Sequence, residues 1–475
     1  MDIASDAFVD GSWLRTQHRF PVRDPFDNSL IAEVADCEDA VIDNAVAAAV
    51  RAFSSWRRQA GPERGKLLRE LANRMLADEQ RLAELCTREN GKPTKESVAE
   101  VRYAASFLAW FAGEAERTYG ETIPATNAAQ RLMAVREPVG PCALITPWNF
   151  PYAMLTRKLG AALAAGCTVV AKPAEQTPLG TLALAQLAEQ VGFPAGVFNV
   201  VPAADGARAG GRLVRSPAIR KISFTGSTEV GRAIMRGAAD DLKRLSLELG
   251  GNAPFVVLAD ADLDAAVAGA LVAKFRNTGQ TCVAANRFIV EAAVAEPFTK
   301  KLVAAISKLK VGRGSDAGVD LGPLIDDDAV AKVTRLVDDA IAKGARVLFG
   351  DKPTGKTRVV APVVLDGITP AMQLWREEIF GPVVALRSAA DEREAIELAN
   401  DTEFGLVAYV FTRDGARQVR VAEALEAGMV GINEGLLSTA QAPFGGIKQS
   451  GMGREGSRHG IDDYTQLKYI ATRIG

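Results

Sequence analysis

The spacing of apolar and polar residues divides the chain into a helical first part and later parts in which strands and helices alternate. From about residue 36 to 118, apolar residues recur at helical spacing. This predicts three helices, the first with an aspartate cap in DCEDAVIDNAVAAAVRAFSSW. From residue 138, short apolar runs each precede a helix-like stretch: VGPCALIT, CTVVAK, GVFNVV and IRKISFTG. Short buried strands alternating with helices predict a parallel sheet with right-handed crossovers.

The alternating pattern predicts two α/β domains. Residues 1–118 and 139–247 are predicted to form a Rossmann-like dinucleotide-binding domain, with ligands at the carboxyl ends of its strands. A second set of apolar strands starts near LELGGNAPFVVL and predicts a second α/β domain over 248–445. The segments 119–138 and 455–475 fit neither domain and show strand-like alternation. They are predicted to form a projecting hairpin or edge strands, a common way to make a subunit contact.

Composition and charge exclude several classes of protein. The 475 residues carry 56 Lys and Arg against 58 Asp and Glu, a net charge of −2, which argues against nucleic acid or an anionic membrane as partner. The N-terminal sequence lacks a basic-then-apolar signal, and no apolar run is long enough to span a bilayer. The five cysteines are few and widely spaced, so neither a disulfide framework nor a metal site is predicted, and a reducing cytoplasm is the expected location.

Cys282, in FRNTGQTCVAAN, is the candidate nucleophile. The preceding Gly279, Gln280 and Thr281 form a backbone-rich approach whose N–H groups could stabilise a thiolate and an oxyanion. Cys167, in AAGCTVV, is more typical of a small buried hydrophobe. The chain has only two histidines, both remote from these motifs, so an activated thiol must rely on a carboxylate, a backbone dipole or a bound cation.

Glu248 and Asn149 are the candidate partners of this thiol. Glu248 stands between leucines in LSLELGG, where a carboxylate is costly to bury unless it is paired or functional. It is predicted to be a base with a raised pKa, or alternatively a salt-bridge partner. Asn149 lies between Pro147 and Pro151, and Pro151 suits the first position of the following helix. Its amide is predicted to donate to an oxyanion, or alternatively to form an ordinary turn.

Two further segments indicate where a dinucleotide would bind. Lys172 and Glu175 end a predicted strand where the adenosine ribose would lie. An acidic residue there accepts both ribose hydroxyls and repels a 2′-phosphate, which favours NAD over NADP. FTGSTEVG, at 224–231, is a strand, turn and helix start that either holds a pyrophosphate or forms a simple Gly-Ser helix cap.

Taken together, these motifs resemble the aldehyde dehydrogenase superfamily. PWNFP, KPAEQTP, FTGSTEVG, LELGG, GQTC, EEIFGP and PFGGIKQSG occur in the order of the family and cover almost the whole chain. The resemblance implies Cys282 as nucleophile, Glu248 as general base, Asn149 as oxyanion donor and Lys158 in the catalytic surroundings. It implies dimers or tetramers, with 119–138 and 455–475 as oligomerisation segments. It also implies a set of dinucleotide contacts: Ile145, Trp148, Lys172, Glu175, Gly226, Ser227, Gly250, Glu378 and Phe380.

Within this family, the chain is most similar to succinate-semialdehyde dehydrogenases. The similarity lies in MLTRKLGAALAAGCTVVAKPAE, KFRNTGQTC and NEGLLSTAQAPFGGIKQSGMGREGS. It implies that Arg157, Arg276 and Ser438 hold the remote carboxylate of the substrate, for which a guanidinium pair is well suited. Arg157 could alternatively lie on a solvated helix face. Many of these enzymes have a second cysteine two residues after the nucleophile, and Ala284 stands there, so no disulfide switch is expected.

The sequence leaves several functional alternatives open. Glutarate and 2-oxoglutarate semialdehyde also carry a distal carboxylate, and the arginines alone do not indicate the chain length of the substrate. A general aldehyde dehydrogenase would lack the clamp. A CoA-acylating relative or a non-catalytic member belongs to another class, and the presence of both Cys282 and Glu248 argues against these two. The strictness of the preference for NAD over NADP also stays open.

Overall fold

The computed structural model describes residues 3–474. The α-helices are α1 (Asp39–Trp56), α2 (Gly61–Ala77), α3 (Glu79–Asn90), α4 (Thr94–Glu114), α5 (Ala153–Ala165), α6 (Leu179–Val191), α7 (Gly206–Arg215), α8 (Thr228–Ala238), α9 (Leu263–Phe275), α10 (Ala292–Ile306), α11 (Asp327–Ala342), α12 (Gln373–Arg376), α13 (Glu392–Asn400) and α14 (Gly415–Ala424). Short 3₁₀ segments lie at Arg276–Gly279 and Arg458–Tyr464.

The strands are β1 (Ala7–Val9), β2 (Ser12–Leu14), β3 (Arg19–Arg23), β4 (Leu30–Ala35), β5 (Glu121–Ile123), β6 (Gln130–Pro138), β7 (Cys142–Ile145), β8 (Val169–Lys172), β9 (Phe198–Val200), β10 (Lys221–Thr225), β11 (Arg244–Glu248), β12 (Ala253–Val257), β13 (Ala285–Glu291), β14 (Arg346–Phe349), β15 (Val363–Asp366), β16 (Val383–Ala389), β17 (Phe404–Gly405), β18 (Val407–Phe411), β19 (Met429–Ile432), β20 (Ile447–Lys448), β21 (Gly451–Met452) and β22 (Thr465–Arg473).

The helical first part contains four helices, where the spacing predicts three. The extra element arises because α2 and α3 are separated only by Asp78. The predicted aspartate cap is wrong: Glu38 is the N-cap of α1 without a side-chain cap bond, and Asp39 is already helical. Helix α5 likewise begins at Ala153, so Pro151 precedes the helix and does not occupy its first position.

The first sheet has eight strands in the order β2-β1-β9-β8-β7-β10-β11-β21. Its five central strands, β9 to β11 in this order, are parallel. Alternate residues of these strands face opposite sides, as the two-residue period of a strand requires. One side packs against α2 to α6, and the other packs against α1, α7 and α8. This arrangement confirms the predicted parallel sheet, and the structure places helices on both of its faces.

The second sheet has seven strands in the order β14-β15-β16-β13-β12-β18-β19. All neighbours are parallel except β14 and β15. Apolar clusters cover both faces, so this sheet is a second α/β core, as predicted. The chain passes from the first sheet to the second between β11 and β12, and β21 returns it to the edge of the first sheet.

A third sheet is formed by the two segments that fit neither α/β pattern. Its order is β22-β6-β5, and both pairings are antiparallel. Strand β22 pairs with β6 over nine residues and forms an edge of this sheet. The predicted edge strands are therefore present. Within residues 3–474, no helix combines the length and the apolar character that crossing a bilayer requires.

Candidate active site

Cys282 lies on an irregular segment between α9 and β13. Asn277, Thr278 and Gly279 all have positive φ there, at 50°, 58° and 80°. A Cβ on Gly279 would lie 2.4 Å from the carbonyl oxygen of Gly381, so only glycine fits this close approach. The tight bend places Cys282 at a cavity, where its side chain is partly buried, whereas the other four cysteines are fully buried.

Burial determines the protonation state of the thiol. It raises the pKa of Cys282 to about 12, and the opposing influence of Arg157 is smaller. Glu378 and Glu248 raise this pKa further. Burial therefore outweighs the stabilisation of a thiolate by backbone donors that the sequence suggests. The thiol is protonated at neutral pH, and a base is needed to remove its proton.

Glu248 ends β11 as a buried and unpaired carboxyl group. Neither of its side-chain oxygens has a hydrogen-bond partner among the residues the structure describes. Burial raises its pKa well above the ordinary value, and nearby Glu455 acts in the same direction. Arg157 and Lys158 lower the pKa, with a smaller effect. The alternative that Glu248 is a salt-bridge partner does not fit these contacts, whereas a base of raised pKa does.

Asn149 joins the 147–151 loop to the segment that carries Cys282. Its Nδ2 atom donates to the backbone oxygen of Gln280 over 3.1 Å. Its own backbone oxygen accepts from Nδ2 of Asn277 over 3.0 Å and from Nζ of Lys92 over 2.7 Å. The side chain is buried and its amide bonds to another segment, so its contacts go beyond those of an ordinary turn. These bonds hold its amide next to Cys282.

A buried ion pair that the sequence analysis missed supports this loop. Lys92 and Glu100 are both fully buried and lie 2.5 Å apart, and Nζ of Lys92 also lies 3.9 Å from the centre of the Phe150 ring. Oε1 of Glu100 accepts the backbone N–H groups of Tyr152 and Ala153, where α5 begins. The signal in the sequence is the run of charges in ENGKPTKESVAE, which leads from the end of α3 through a short connection into α4, a helix with many buried positions.

Arg157 and Lys158 share the buried carboxylate of Glu455. Arg157 is 1% exposed and pairs through Nε with Oε2, while Lys158 pairs with Oε1 and donates to Oγ1 of Thr225 over 2.6 Å. Burial is the largest single influence on Arg157 and lowers its pKa, but Glu455 and the other acidic groups nearby together more than offset it, so the pKa is raised. The pKa of Lys158 is lowered by burial, despite Glu455. The alternative of a solvated helix face is therefore wrong for Arg157, and the sequence analysis missed Glu455.

Cys282 borders a cavity of about 320 Å³ that we name the glycine cavity. It brings together eight of the residues that the sequence singles out. Its lining contains Trp148, Asn149, Gly226, Ser227, Gly250, Cys282, Glu378 and Phe380, with Lys332 and Asp326 among the others.

Backbone groups and the carboxyl group of Glu378 shape the glycine cavity. Oε1 of Glu378 accepts the N–H of Gly251 over 3.1 Å, and a Cβ on Gly250 would lie 3.2 Å from Oε2. Burial raises the pKa of Glu378 to about 7. Ser227 caps α8 by accepting the N–H of Val230, so the helix-cap interpretation of this motif is confirmed. The same helix N-terminus borders the cavity, which suits a pyrophosphate.

Lys172 and Glu175 do not line the glycine cavity but lie together at the end of β8. Lys172 Nζ is 3.3 Å from Oε2 of Glu175, whose side chain is 40% exposed. A Cβ on Gly206 would lie 2.8 Å from Lys172 Nζ, so a glycine keeps this space open. Ile145 ends the neighbouring strand β7, and its Cδ1 would be 3.8 Å from a Cβ on Gly210. These residues and the glycine cavity fit the two ends of a dinucleotide.

A second cavity of about 370 Å³, which we name the arginine cavity, is lined by Arg276, Ser438, Phe150 and Tyr103. The guanidinium of Arg276 lies 5.0 Å from the centre of the Phe150 ring. Arg157 is not part of this lining, and its guanidinium lies 4.1 Å from the Phe444 ring. Since Asn149 lines the glycine cavity and Phe150 the arginine cavity, one short loop separates the two spaces.

Comparison with known proteins agrees with these features. The model of the aldehyde dehydrogenase family matches residues 13–470. Glutarate-semialdehyde dehydrogenase of Pseudomonas aeruginosa is 50% identical over 98% of this chain and 96% of its own length. Succinate-semialdehyde dehydrogenase [NADP(+)] of Escherichia coli is 51% identical over 98% and 97%. The crystal structure of succinate-semialdehyde dehydrogenase from Burkholderia pseudomallei, 49% identical, superposes with a TM-score of 0.97 over 99% of this chain and 98% of its own.

Proposed function

We propose a substrate class and a mechanism for this chain, which belongs to the aldehyde dehydrogenase family and oxidises an aldehyde to a carboxylic acid. The substrate is succinate semialdehyde, with glutarate semialdehyde as the second candidate. The observation that carries the proposal is the position of Cys282 on the glycine cavity, beside the 147–151 loop that separates this cavity from one with an arginine and a serine. A thiol at this boundary has room for a dinucleotide on one side and for an aldehyde with a charged tail on the other.

The first chemical step is the attack of the Cys282 sulfur on the aldehyde carbon. Because burial keeps the thiol protonated, its proton must pass to a base, and the unpaired carboxylate of Glu248 is the candidate. A carbon–sulfur bond forms, and the carbonyl oxygen becomes an oxyanion. The amide of Asn149 and the backbone N–H of Cys282 are the proposed donors to this oxygen.

The second stage releases the acid from the enzyme. A nicotinamide dinucleotide held by the residues of the glycine cavity would supply the acceptor for the hydride of the former aldehyde carbon, and loss of this hydride would leave Cys282 carrying the acid as a thioester. The proton taken from the thiol first passes from Glu248 to solvent. Glu248 then takes a proton from water, the resulting hydroxide attacks the thioester, the carbon–sulfur bond breaks, and the Cys282 thiolate regains the proton from Glu248. The overall reaction consumes the aldehyde, water and the oxidised dinucleotide, and it yields the carboxylic acid, the reduced dinucleotide and a proton.

The arginine cavity supports a substrate with a remote carboxylate. Arg276 and Ser438 line it, and Arg157 lies behind it, so a guanidinium and a hydroxyl are available to a carboxylate. The relatives support the same class, because their names include glutarate and succinate semialdehyde. Both substrates place a carboxylate beyond a short methylene chain. A general aldehyde dehydrogenase would have no use for these polar groups.

NAD is the proposed cofactor, with NADP as the alternative. Glu175 supports NAD, because its carboxylate faces Lys172 at the end of β8 and would repel a 2′-phosphate. The Escherichia coli relative is named for NADP(+), so the preference does not follow from family membership. Lys172 has a charge that suits either cofactor.

The third sheet is the proposed subunit contact, in a homodimer or a homotetramer. Its edge strand β22 exposes two large side chains, Leu467 at 63% and Tyr469 at 61%. An exposed edge strand with apolar side chains invites pairing with another chain. Sedimentation analysis of the chain, compared with Leu467→Lys, tests this contact: the variant is expected to shift toward monomer.

The substrate class is tested by steady-state kinetics with NAD. We expect kcat/KM for succinate semialdehyde to exceed that for butyraldehyde, which has the same chain length without the carboxylate. In Arg276→Ala, the preference should fall roughly 30- to 1,000-fold, since truncating one partner of a charge-assisted contact costs about 2–4 kcal/mol. Equal rates for both aldehydes in the unmodified protein would contradict the assigned substrate class.

A further inference from the structure

The arginine cavity contains a polar group with no role in the mechanism above, the hydroxyl of Tyr103. Tyr103 lies on α4, and its ring packs edge-on against Phe107 with the ring centres 4.8 Å apart. The residue lines the cavity together with Arg276 and Ser438. Its hydroxyl oxygen is buried and makes no hydrogen bond of good geometry within residues 3–474, although Ser438 and the guanidinium of Arg157 lie close to it.

A second unpaired donor belongs to the same neighbourhood. Nη2 of Arg157 is buried and also has no partner in the described part of the chain. Burial raises the pKa of Tyr103, whereas Arg157, Arg276 and Ser438 are close enough to act in the opposite direction. The phenol therefore keeps its proton at neutral pH and is a donor, with two guanidinium groups and a serine hydroxyl around it.

The three acidic side chains that line this cavity, Glu96, Glu100 and Asp320, already have partners, and that of Asp320 is Nζ of Lys95, 2.5 Å away. Oε2 of Glu96 accepts the backbone N–H of Asn277 over 2.6 Å. Glu100 is held by Lys92 and by backbone N–H groups at the start of α5. These acidic side chains therefore do not accept hydrogen bonds from the hydroxyl of Tyr103 or from Nη2 of Arg157.

Buried donors without acceptors are rare in folded proteins, and each one calls for an explanation. Two such donors beside a cavity with a further arginine are complementary to an anion that accepts several hydrogen bonds. A carboxylate has two oxygens and about four acceptor positions, so it can accept from a phenol, a guanidinium and a serine together. The uncharged tail of a simple aldehyde would leave these donors unpaired.

We propose that Tyr103 is a substrate-binding residue whose hydroxyl donates a hydrogen bond to the remote carboxylate of the semialdehyde. The assignment rests on the substrate class proposed above. Tyr103 thereby joins Arg276 and Ser438 in distinguishing carboxylated from uncharged aldehydes. Since its contact is remote from the reacting carbon, it acts on substrate binding and not on the chemistry at Cys282.

The test is Tyr103→Phe, which removes the hydroxyl and keeps the ring. With NAD, kcat/KM for succinate semialdehyde should fall roughly 10- to 100-fold, mainly through KM, because a bond to a charged group is lost. For butyraldehyde it should change less than about twofold. The matched control is Tyr119→Phe, which removes a hydroxyl from a tyrosine that is 71% exposed, and it should leave both values unchanged.

Product inhibition gives a second readout that does not depend on turnover of the semialdehyde. Succinate should inhibit butyraldehyde oxidation less strongly in Tyr103→Phe, by a similar factor, and butyrate inhibition should not change. An equal loss with both aldehydes would indicate a structural role and overturn the inference, as would unchanged kinetics with the semialdehyde. If the unmodified protein itself does not prefer the semialdehyde, the proposed substrate class fails, and this inference fails with it.

Discussion

The glycine cavity and the arginine cavity lie on opposite sides of the 147–151 loop and are built in different ways. Most residues that shape the glycine cavity come from short contiguous motifs at the ends of strands and the starts of helices. The arginine cavity is lined by side chains from α4, from the end of α9 and from the loop around Ser438, far apart in the sequence. The first is formed largely by backbone geometry, and the second by separate side chains.

The difference explains which parts of the site are visible in a sequence. Backbone geometry requires particular residues at fixed spacing, such as glycines beside a helix cap, and therefore leaves a motif. Side chains that meet only in the folded state leave no local pattern, so Tyr103 received no role from the sequence. We infer that the chemistry is encoded locally, whereas the choice of aldehyde is encoded by tertiary contacts.

Cys282 borders the glycine cavity and should be needed for every substrate, so its loss is the largest effect expected. In Cys282→Ala, kcat/KM should fall about 10⁴-fold or more for both succinate semialdehyde and butyraldehyde, because no thioester forms. Binding of NADH, followed by its fluorescence, should persist. The matched control is Cys37→Ala, which removes a buried thiol outside both cavities and should retain turnover. Turnover by Cys282→Ala with either aldehyde would refute the covalent mechanism.

Replacing Glu248 should slow the oxidation of both aldehydes alike, but less severely than the loss of Cys282. In Glu248→Gln, the steady-state rate should fall about 10²- to 10⁴-fold, the usual contribution of a general base. If the base is needed mainly to release the thioester, stopped-flow absorbance should show a burst of reduced cofactor before the slow phase. A normal steady rate would remove Glu248 as the base, whereas a slow linear trace without a burst would place its main effect at the removal of the thiol proton.

The pH dependence of the rate gives a further test of Glu248. The carboxyl group acts as a base only when it is deprotonated, and its pKa is raised well above the ordinary value. The steady-state rate should therefore fall as the pH is lowered through this raised pKa, not through that of an exposed glutamate. Glu248→Gln should lack this limb of the profile. The same limb in both proteins would assign it to another group.

Replacing Glu175 should change the preference between NAD and NADP and leave the preference between the two aldehydes unchanged. In Glu175→Ser, the ratio of kcat/KM with NADP to that with NAD should rise roughly 10- to 100-fold, because a like charge no longer faces the 2′-phosphate. Glu116→Ser, at an exposed glutamate just beyond α4, should leave the ratio unchanged and is the matched control. An unaltered ratio in Glu175→Ser would show that cofactor choice lies elsewhere.

Much of the fold could be predicted because alternating buried strands and helices leave a strong pattern. The parallel sheets and the edge strands followed from it, whereas β1 to β4 did not, since β1 and β2 have three residues each and give almost no periodicity. Some residues of the site could not be predicted from the sequence for another reason. Lys92, Glu100 and Glu455 look like surface charges in the sequence, and only the folded structure shows that they are buried and paired.

The separation of the two cavities can be measured directly by crossing two aldehydes with two cofactors. We would determine kcat/KM for succinate semialdehyde and butyraldehyde, each with NAD and NADP, in the unmodified protein, Arg276→Ala and Glu175→Ser. The account predicts that Arg276→Ala changes only the aldehyde ratio and that Glu175→Ser changes only the cofactor ratio, as expected for independent sites. A variant that shifts both ratios, or Arg276→Ala leaving the aldehyde ratio unchanged, would contradict it.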